Sequence, residues 1–293
     1  MMATVVAGSS VPGLAMDLAK KLGAEFTCVS MARFPDGELH VNIQQHRLPG
    51  TVYYVQTMAP RPNERLTEIL LTCDLLRDLG CREIVAVIPY LGYTRQDCRR
   101  MQGEAVSVGT LFKLLEGVGI VELVSVDIHL HRLGMEELKA MTKIKITEVS
   151  AMTELAKKCP SDDVVVVAPD SEAERWAASA ASTLGTSYGV MEKHRVSPTK
   201  VEVSFGKVDV KGRKVLIVDD IVSTGGTLIE TAQLLKSHGA REIYVAFTHA
   251  VLSSTECVAN LFNAGISDLI STNTVQNEFA TVNVAGLLAS ALP

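Results

Sequence analysis

Residues 214–227 read KVLIVDDIVSTGGT, an aliphatic run that ends in Asp219 and Asp220 and gives way to Ser223, Thr224, Gly225, Gly226 and Thr227. The unbroken VLIV run suits a strand covered on both faces, as in a parallel sheet, and places the two carboxylates at its carboxyl end. In open α/β sheets ligands bind at that edge. The small residues that follow open a helix, whose first N–H groups favour an anion. Carboxylates beside an anion cradle make a grip for a sugar phosphate. The plainer reading, a strand-end Asp followed by an ordinary Ser/Thr helix cap, explains each residue singly but not the acid pair, glycine pair and flanking threonines together.

Five further stretches carry chemistry. MARFPDGELHVNI sets Asp36, Gly37 and Glu38 on a Pro-Asp-Gly segment, a good β-turn in its own right. IPYLGYTRQDCRR follows a buried strand and puts Arg95, Gln96, Arg99 and Arg100 on a loop. Guanidinium forks suit phosphate oxygens, although such a loop is as often a solvated face. VSVDIHLHRLG delivers Asp127, His129 and His131 at alternate positions, which on an extended strand share one side. They can bind Mg²⁺ and phosphate, or form a hydrogen-bonded surface cluster. In VVVVAPDSEAERWA a buried strand delivers Asp170, a candidate ligand or a helix cap. EKHRVSPTK, at 192–200, reads as a mobile loop ahead of an alternating strand at 201–205; its Lys193 and Arg195 can close over an anionic transition state.

One pattern positions all of these groups: an amphipathic helix, a glycine, then an aliphatic strand, at 16–30, 75–88, 114–127 and 234–247. Gly23, Gly80, Gly119 and Gly239 stand where a helix must end left-handed. The alternation predicts βαβ units and parallel sheets. Leu75, Leu76, Gly80, Arg82, Glu83 and Ile84 match Leu234, Leu235, Gly239, Arg241, Glu242 and Ile243 at a common offset of 159 residues, about half the chain. Two related α/β domains in tandem follow, drawn as 1–146 and 147–293. The boundary lies in KIKITEVS, with Ser150 expected to cap the next helix.

Composition excludes several classes. With 293 residues and 47% hydrophobic content the chain can fill two cores. A net charge of −5 gives no basic field for nucleic acid, and a single tryptophan leaves little for base stacking. Six cysteines without a CxxC pair read as reduced thiols rather than a disulfide framework or zinc site. The start, MMATVVAGSS, lacks a signal-peptide pattern, and no apolar stretch is long enough to span a bilayer. A cytoplasmic protein without a membrane partner is expected.

Taken in order, RFPDGE, GYTRQD, VDIH, APD, the Lys-x-Arg pair and VDDIVSTGGT resemble the ribose-phosphate diphosphokinase (phosphoribosyl diphosphate, PRPP, synthase) family; the last motif is shared with phosphoribosyltransferases. The resemblance implies an α/β fold of two tandem phosphoribosyltransferase-type domains, each a mainly parallel sheet flanked by helices. It also implies transfer of the β,γ-diphosphoryl group of MgATP to the 1-hydroxyl of ribose 5-phosphate. By the same resemblance Asp219 and Asp220 face the ribose, and Ser223, Thr224, Gly225, Gly226 and Thr227 cradle the 5-phosphate. Asp36, Gly37 and Glu38 contact adenine from a neighbouring subunit of a homo-oligomer with a shared ATP site. Arg95 and Gln96 hold ATP, His129 and Asp170 position Mg²⁺, and Lys193 and Arg195 are the catalytic cations. Two departures, Ser223 where many members have an acid and DIHLHRLGMEE in the histidine motif, look like the shorter archaeal members. Two rivals stand beside this reading. One is a non-catalytic associated regulator; the other is a phosphoribosyltransferase that consumes PRPP.

Overall fold

The computed structural model describes residues 3–160, 162–197, 200–206 and 208–293, and within 193–203 only the backbone. The chain divides into two units. The first begins with β1 (Thr4–Ala7), α1 (Pro12–Leu22) and β2 (Glu25–Cys28), followed by a hairpin of β3 (Ser30–Arg33) and β4 (Leu39–Asn42). It continues through β5 (Gly50–Val55), α2 (Pro62–Asp78), β6 (Cys81–Val87), α3 (Ser107–Gly117), β7 (Ile120–Val126), α4 (Met135–Ala140) and β8 (Lys145–Val149). Its six-stranded sheet runs β2-β1-β5-β6-β7-β8, every neighbouring pair parallel.

The second unit contains α5 (Met152–Ala156), β9 (Val164–Ala168), α6 (Glu174–Leu184) and β10 (Tyr188–Val190), then β11 (Glu192–Ser197) and β12 (Lys200–Ser204). After these come β13 (Lys214–Val222), α7 (Gly226–Ser237), β14 (Glu242–Ala250), α8 (Thr255–Asn263), β15 (Asp268–Thr272) and β16 (Ala280–Val282). Its sheet runs β10-β9-β13-β14-β15-β16, again parallel throughout. The core explains the apolar runs: all five residues of β9 are buried, as a strand covered on both faces requires. Each such valine contributes roughly 1.5–3 kcal/mol of burial.

The two units share one topology. In each, the second strand lies on one side of the first, a two-stranded antiparallel hairpin follows, and the remaining strands add on the other side. The sequence match between 75–84 and 234–243 falls on corresponding elements, the ends of α2 and α7 with the starts of β6 and β14. Gly80 and Gly239 adopt φ of 88° and 86°, the left-handed helix exit expected of both. Duplication of one α/β plan accounts for the repeat.

Several expectations change. The segment at 192–200, expected as a loop, is strand in its described part: β11 and β12 pair as a hairpin, with Lys193 opposite Val203 and Arg195 opposite Val201. Its backbone donors and acceptors find partners across the ladder, which polar composition alone does not reveal. Ala151, not Ser150, stands at the N-cap of α5. The division at 146/147 cuts through β8, whereas the first unit runs through Ser150 and also takes Asn283–Pro293. That last stretch forms α9 (Ala285–Ala291), which packs on α1, β7 and β8 with Leu288 fully buried. There the Tyr53 hydroxyl donates to the Pro293 carbonyl at 2.9 Å, and Asn283 Nδ2 donates to Asp17 Oδ2 at 2.8 Å.

Candidate active site

In the second unit the strand order turns outward in both directions between β9 and β13, the kind of switch point where α/β sheets bind ligands. β13 pairs with β9 only from Lys214 to Ile217 but follows β14 as far as Val222. The strand therefore does not end at the aspartates; it carries Asp219 and Asp220 past the last rung of β9. Asp220 is 2% exposed, while Asp219 stays partly exposed.

Protein atoms nevertheless crowd the Asp219 carboxyl. This desolvation, followed by the negative charges of Asp220 and Asp170, holds its pKa well above the ordinary carboxylate range. The Asp220 N–H donating to Asp219 Oδ1 at 2.9 Å offsets only part of that. Asp170 follows β9 and is not the cap of α6, whose N-cap is Ala173; its Oδ1 accepts the N–H groups of Glu172 at 2.9 Å and Ala173 at 3.1 Å in the turn ahead of that helix. Gathered carboxylate oxygens suit a hard divalent cation or sugar hydroxyls.

Beyond β13, Gly225 is the N-cap of α7 with φ 75°. A Cβ there would sit 3.0 Å from Leu261 Cδ2 and 3.3 Å from Cys257 Sγ, so glycine is needed both for backbone and for space. The loop is held from below by α8. The Ser223 carbonyl accepts the Ser253 N–H at 3.2 Å and the Cys257 thiol at 3.3 Å. No side chain caps α7 and no acid lies in its first turn, so its positive end faces a loop of Ser223, Thr224 and Thr227.

The first unit provides an internal control. At the same place β1 is followed by Ser9 and Ser10, and β5 by Gln56 and Thr57. Here a carboxylate of the unit itself fills the place. Fully buried Glu68 accepts the Ser9 N–H at 2.8 Å, the Ser9 hydroxyl at 2.6 Å, Gln56 Nε2 at 2.6 Å and Arg65 at 3.0 Å. A Cβ on Gly8 would collide with Gln56. Helix α2 opens on Arg61, left-handed like Gly225, but its first turn carries Glu64, paired with Arg33 and Arg61. The same position is thus lined by small hydroxyl residues and a helix start that no side chain caps in one unit, and filled by a carboxylate in the other.

The remaining predicted residues of the first unit follow carboxyl ends of its strands. Asp36, Gly37 and Glu38 are exposed at the tip of the β3–β4 hairpin, where Gly37 has φ 99° and Asp36 Oδ1 accepts the Glu38 N–H at 3.1 Å. Arg95 and Gln96 are exposed after β6, and the Gln96 carbonyl accepts the Ser107 N–H at 3.1 Å. Strand β7 stops at Val126, and buried Asp127 turns left-handed with φ 38°. Alternation along a strand therefore does not account for the histidines, yet His129 and His131 converge, Nε2 to Nε2, at 3.1 Å.

Sequence reasoning passed over Asp97. Its Oδ2 accepts three consecutive N–H groups, from His131 at 2.8 Å, Arg132 at 2.7 Å and Leu133 at 2.9 Å. Burial pushes its pKa up, but the N–H groups of Leu133, Arg132 and His131 outweigh that and hold it below the ordinary value. Only the run RQD, one residue beyond the arginine-glutamine pair, hinted at it. The side chains of Lys193 and Arg195 lie outside the described residues; their backbone belongs to β11. All six cysteines are free. Among the described residues no helix is long and apolar enough to cross a membrane.

A duplicated parallel α/β plan, with an acidic strand end beside a helix start that no side chain caps at the switch point of its second copy, defines a two-domain phosphoribosyltransferase-type protein. Family models agree: residues 3–119 match the N-terminal domain of ribose phosphate pyrophosphokinase, and residues 135–278 match the phosphoribosyl transferase domain. The chain belongs to the ribose-phosphate pyrophosphokinase family. It is 38% identical to the ribose-phosphate pyrophosphokinase of Methanopyrus kandleri over 98% of both chains. With that of Methanothermobacter thermautotrophicus it is 35% identical, over 98% of this chain and 99% of the other. The crystal structure of phosphoribosylpyrophosphate synthetase from Mycobacterium smegmatis superposes with a TM-score of 0.85 at 28% identity, covering 99% of this chain and 97% of that one. Membership makes the protein a diphosphotransferase, and a divalent metal is the family's general cofactor.

Proposed function

We propose that this chain makes PRPP from MgATP and ribose 5-phosphate. The O1–Pβ bond forms, the bond from Pβ to the oxygen bridging the α- and β-phosphorus breaks, and its electron pair leaves on AMP; the hydroxyl proton goes to solvent. The observation that carries this reading is the acid-lined switch point beside the uncapped start of α7, set against the same position in the first unit filled by Glu68. Asp219 and Asp220 hold ribose hydroxyls, and Ser223 to Thr227 the 5-phosphate. In the first unit Asp36, Gly37, Glu38, Arg95 and Gln96 bind ATP, the hairpin reaching the adenine of a neighbouring subunit in a homo-oligomer.

Phosphoryl-type transfer asks for alignment and charge neutralisation rather than a covalent nucleophile. Mg²⁺, when bound, supplies neutralisation of the polyphosphate, and the donors of His129 and Asp170 fit the general need for a divalent ion. Lys193 and Arg195 meet the negative charge that shifts toward AMP. The reaction belongs in the cytoplasm. Incubation with MgATP and ribose 5-phosphate tests the proposal: AMP and PRPP must appear in equal amounts. A regulator would yield neither, and a phosphoribosyltransferase would turn over only when PRPP and a base were added. Full-length likeness to named pyrophosphokinases favours neither rival.

A further inference from the structure

Two segments of the first unit carry the residues assigned to ATP, and both are tied to the first turn of α2. The β3–β4 hairpin pairs with no third strand. A two-stranded hairpin on its own is at best marginally stable in water, so its course depends on what it leans against. It packs on α2. Among the described residues the only ion pair that leaves the hairpin runs from Arg33, at the end of β3 and close before Asp36, to Glu64. The Glu64 side chain is only 14% exposed. The Arg33 guanidinium, with Arg61 behind it, outweighs that burial and holds the Glu64 carboxyl below the ordinary carboxylate range, so the pair stays charged near neutrality.

One residue earlier in the same turn, Asn63 Oδ1 accepts the hydroxyl of Tyr93, just ahead of Arg95. Tyr93 is left-handed at φ 63°, and its carbonyl accepts the Ser107 hydroxyl at 2.7 Å. A left-handed residue other than glycine persists where its surroundings over-determine it. Beyond this turn α2 runs into the core through Arg65, Glu68 and Ile69, all buried. The turn is therefore a rigid support, which is what a precise binding site needs behind it.

We propose that Glu64 and Asn63 are positioning residues for the nucleotide: Glu64 sets the hairpin bearing Asp36 and Glu38 through Arg33, and Asn63 sets the loop bearing Arg95 and Gln96 through Tyr93. This rests on the proposed function, which gives both segments to ATP, and deepens it by naming what fixes them.

The full chain is titrated with an unreactive ATP analogue and, separately, with ribose 5-phosphate. Glu64→Gln and Arg33→Gln should each weaken the analogue about tenfold, within what a small misplacement of aligned groups costs. Arg33→Lys, which keeps the charge, should stay within about threefold of wild type. Because both residues act through one pair, the double variant should match the weaker single within about twofold. Tyr93→Phe, which removes the donor to Asn63, should weaken the analogue about fivefold. Ribose 5-phosphate binding, which the proposed function assigns to the second unit, should stay within about twofold throughout. Hydrogen exchange gives a readout that a general loss of stability would not: amides of β3 and β4 should exchange about tenfold faster in Glu64→Gln, with those of β5 and β6 unchanged. Should Glu64→Gln not fold, Arg33→Gln, at a partly exposed residue, carries the test. Additive losses in the double variant, a loss in Arg33→Gln but not in Glu64→Gln, no loss in Tyr93→Phe, or faster exchange across the whole unit overturns the proposal. PRPP formation from MgATP is assayed on the same wild-type sample. Its absence would sink the proposed function, while the analogue affinities and the exchange pattern still decide the role of the α2 turn.

Discussion

The carboxylate of Asp97 is tied to the backbone N–H of His131 at 2.8 Å, across 34 residues of sequence. With its bonds to Arg132 and Leu133 it joins the segment bearing Arg95 and Gln96 to the one bearing His129. Asp97→Asn removes a buried charged acceptor from three backbone donors and should cost about 2 kcal/mol. Because the folded pKa lies below the unfolded one, this stabilisation is fully present above the ordinary carboxylate value near 4 and is lost as pH falls through the folded value. Thermal melts of both proteins from pH 3 to pH 7 should show a gap that is constant near neutrality and closes in acid. A pH-independent gap would refute the charge-based account.

Asp219 has the opposite sign. Its folded pKa is raised, so the native state holds the proton more tightly, and the group erodes stability as pH rises above about 4. Asp219→Asn should therefore raise Tm at pH 7 by roughly 2–4 °C, the response of a chain this size to ~1 kcal/mol. It should also weaken ribose 5-phosphate binding at least tenfold. Calorimetric titration and melts across pH check both halves, and a variant less stable than wild type at neutrality would contradict the crowding of like charges.

Gly225→Ala must place a Cβ 3.0 Å from Leu261 in a left-handed backbone. We expect a loss of about 1–2 kcal/mol, and ribose 5-phosphate affinity lowered more than tenfold. Nucleotide binding, which the proposed function assigns to residues of the first unit, should stay within twofold. Parallel titrations with ribose 5-phosphate and an unreactive ATP analogue separate the two effects.

Lys193→Ala should lower kcat about a hundredfold, ~3 kcal/mol, for one aligned cation. The KM for ribose 5-phosphate should move only a few-fold, since the residue is assigned to the transition state. Steady-state kinetics decide, and near-normal turnover would remove Lys193 from the mechanism.

What could be read in the sequence was local. The run from Val215 to Thr227 spells strand, turn and helix in adjacent residues, so its local structure was legible apart from the strand's extension to Val222, as were the helix-exit glycines and the duplication marked by Gly80 and Gly239. Asp97 was not, because its worth lies in donors that follow it by 34 to 36 positions. The histidines were grouped for a reason that does not hold: β7 stops at Val126, and a turn at Asp127, not strand alternation, brings them together. The hairpin of β11 and β12 hid behind polar residues whose pairing is a property of the backbone. Helix α9, an uncharged AGLLASA, carried no sign of which sheet it covers.

That helix has a consequence for biosynthesis. Residues 283–293 complete the unit whose first strand is Thr4–Ala7, with unit two made in between. On the ribosome the domain started first is finished last, and the inserted domain can close while its host still waits for a lid of seven residues.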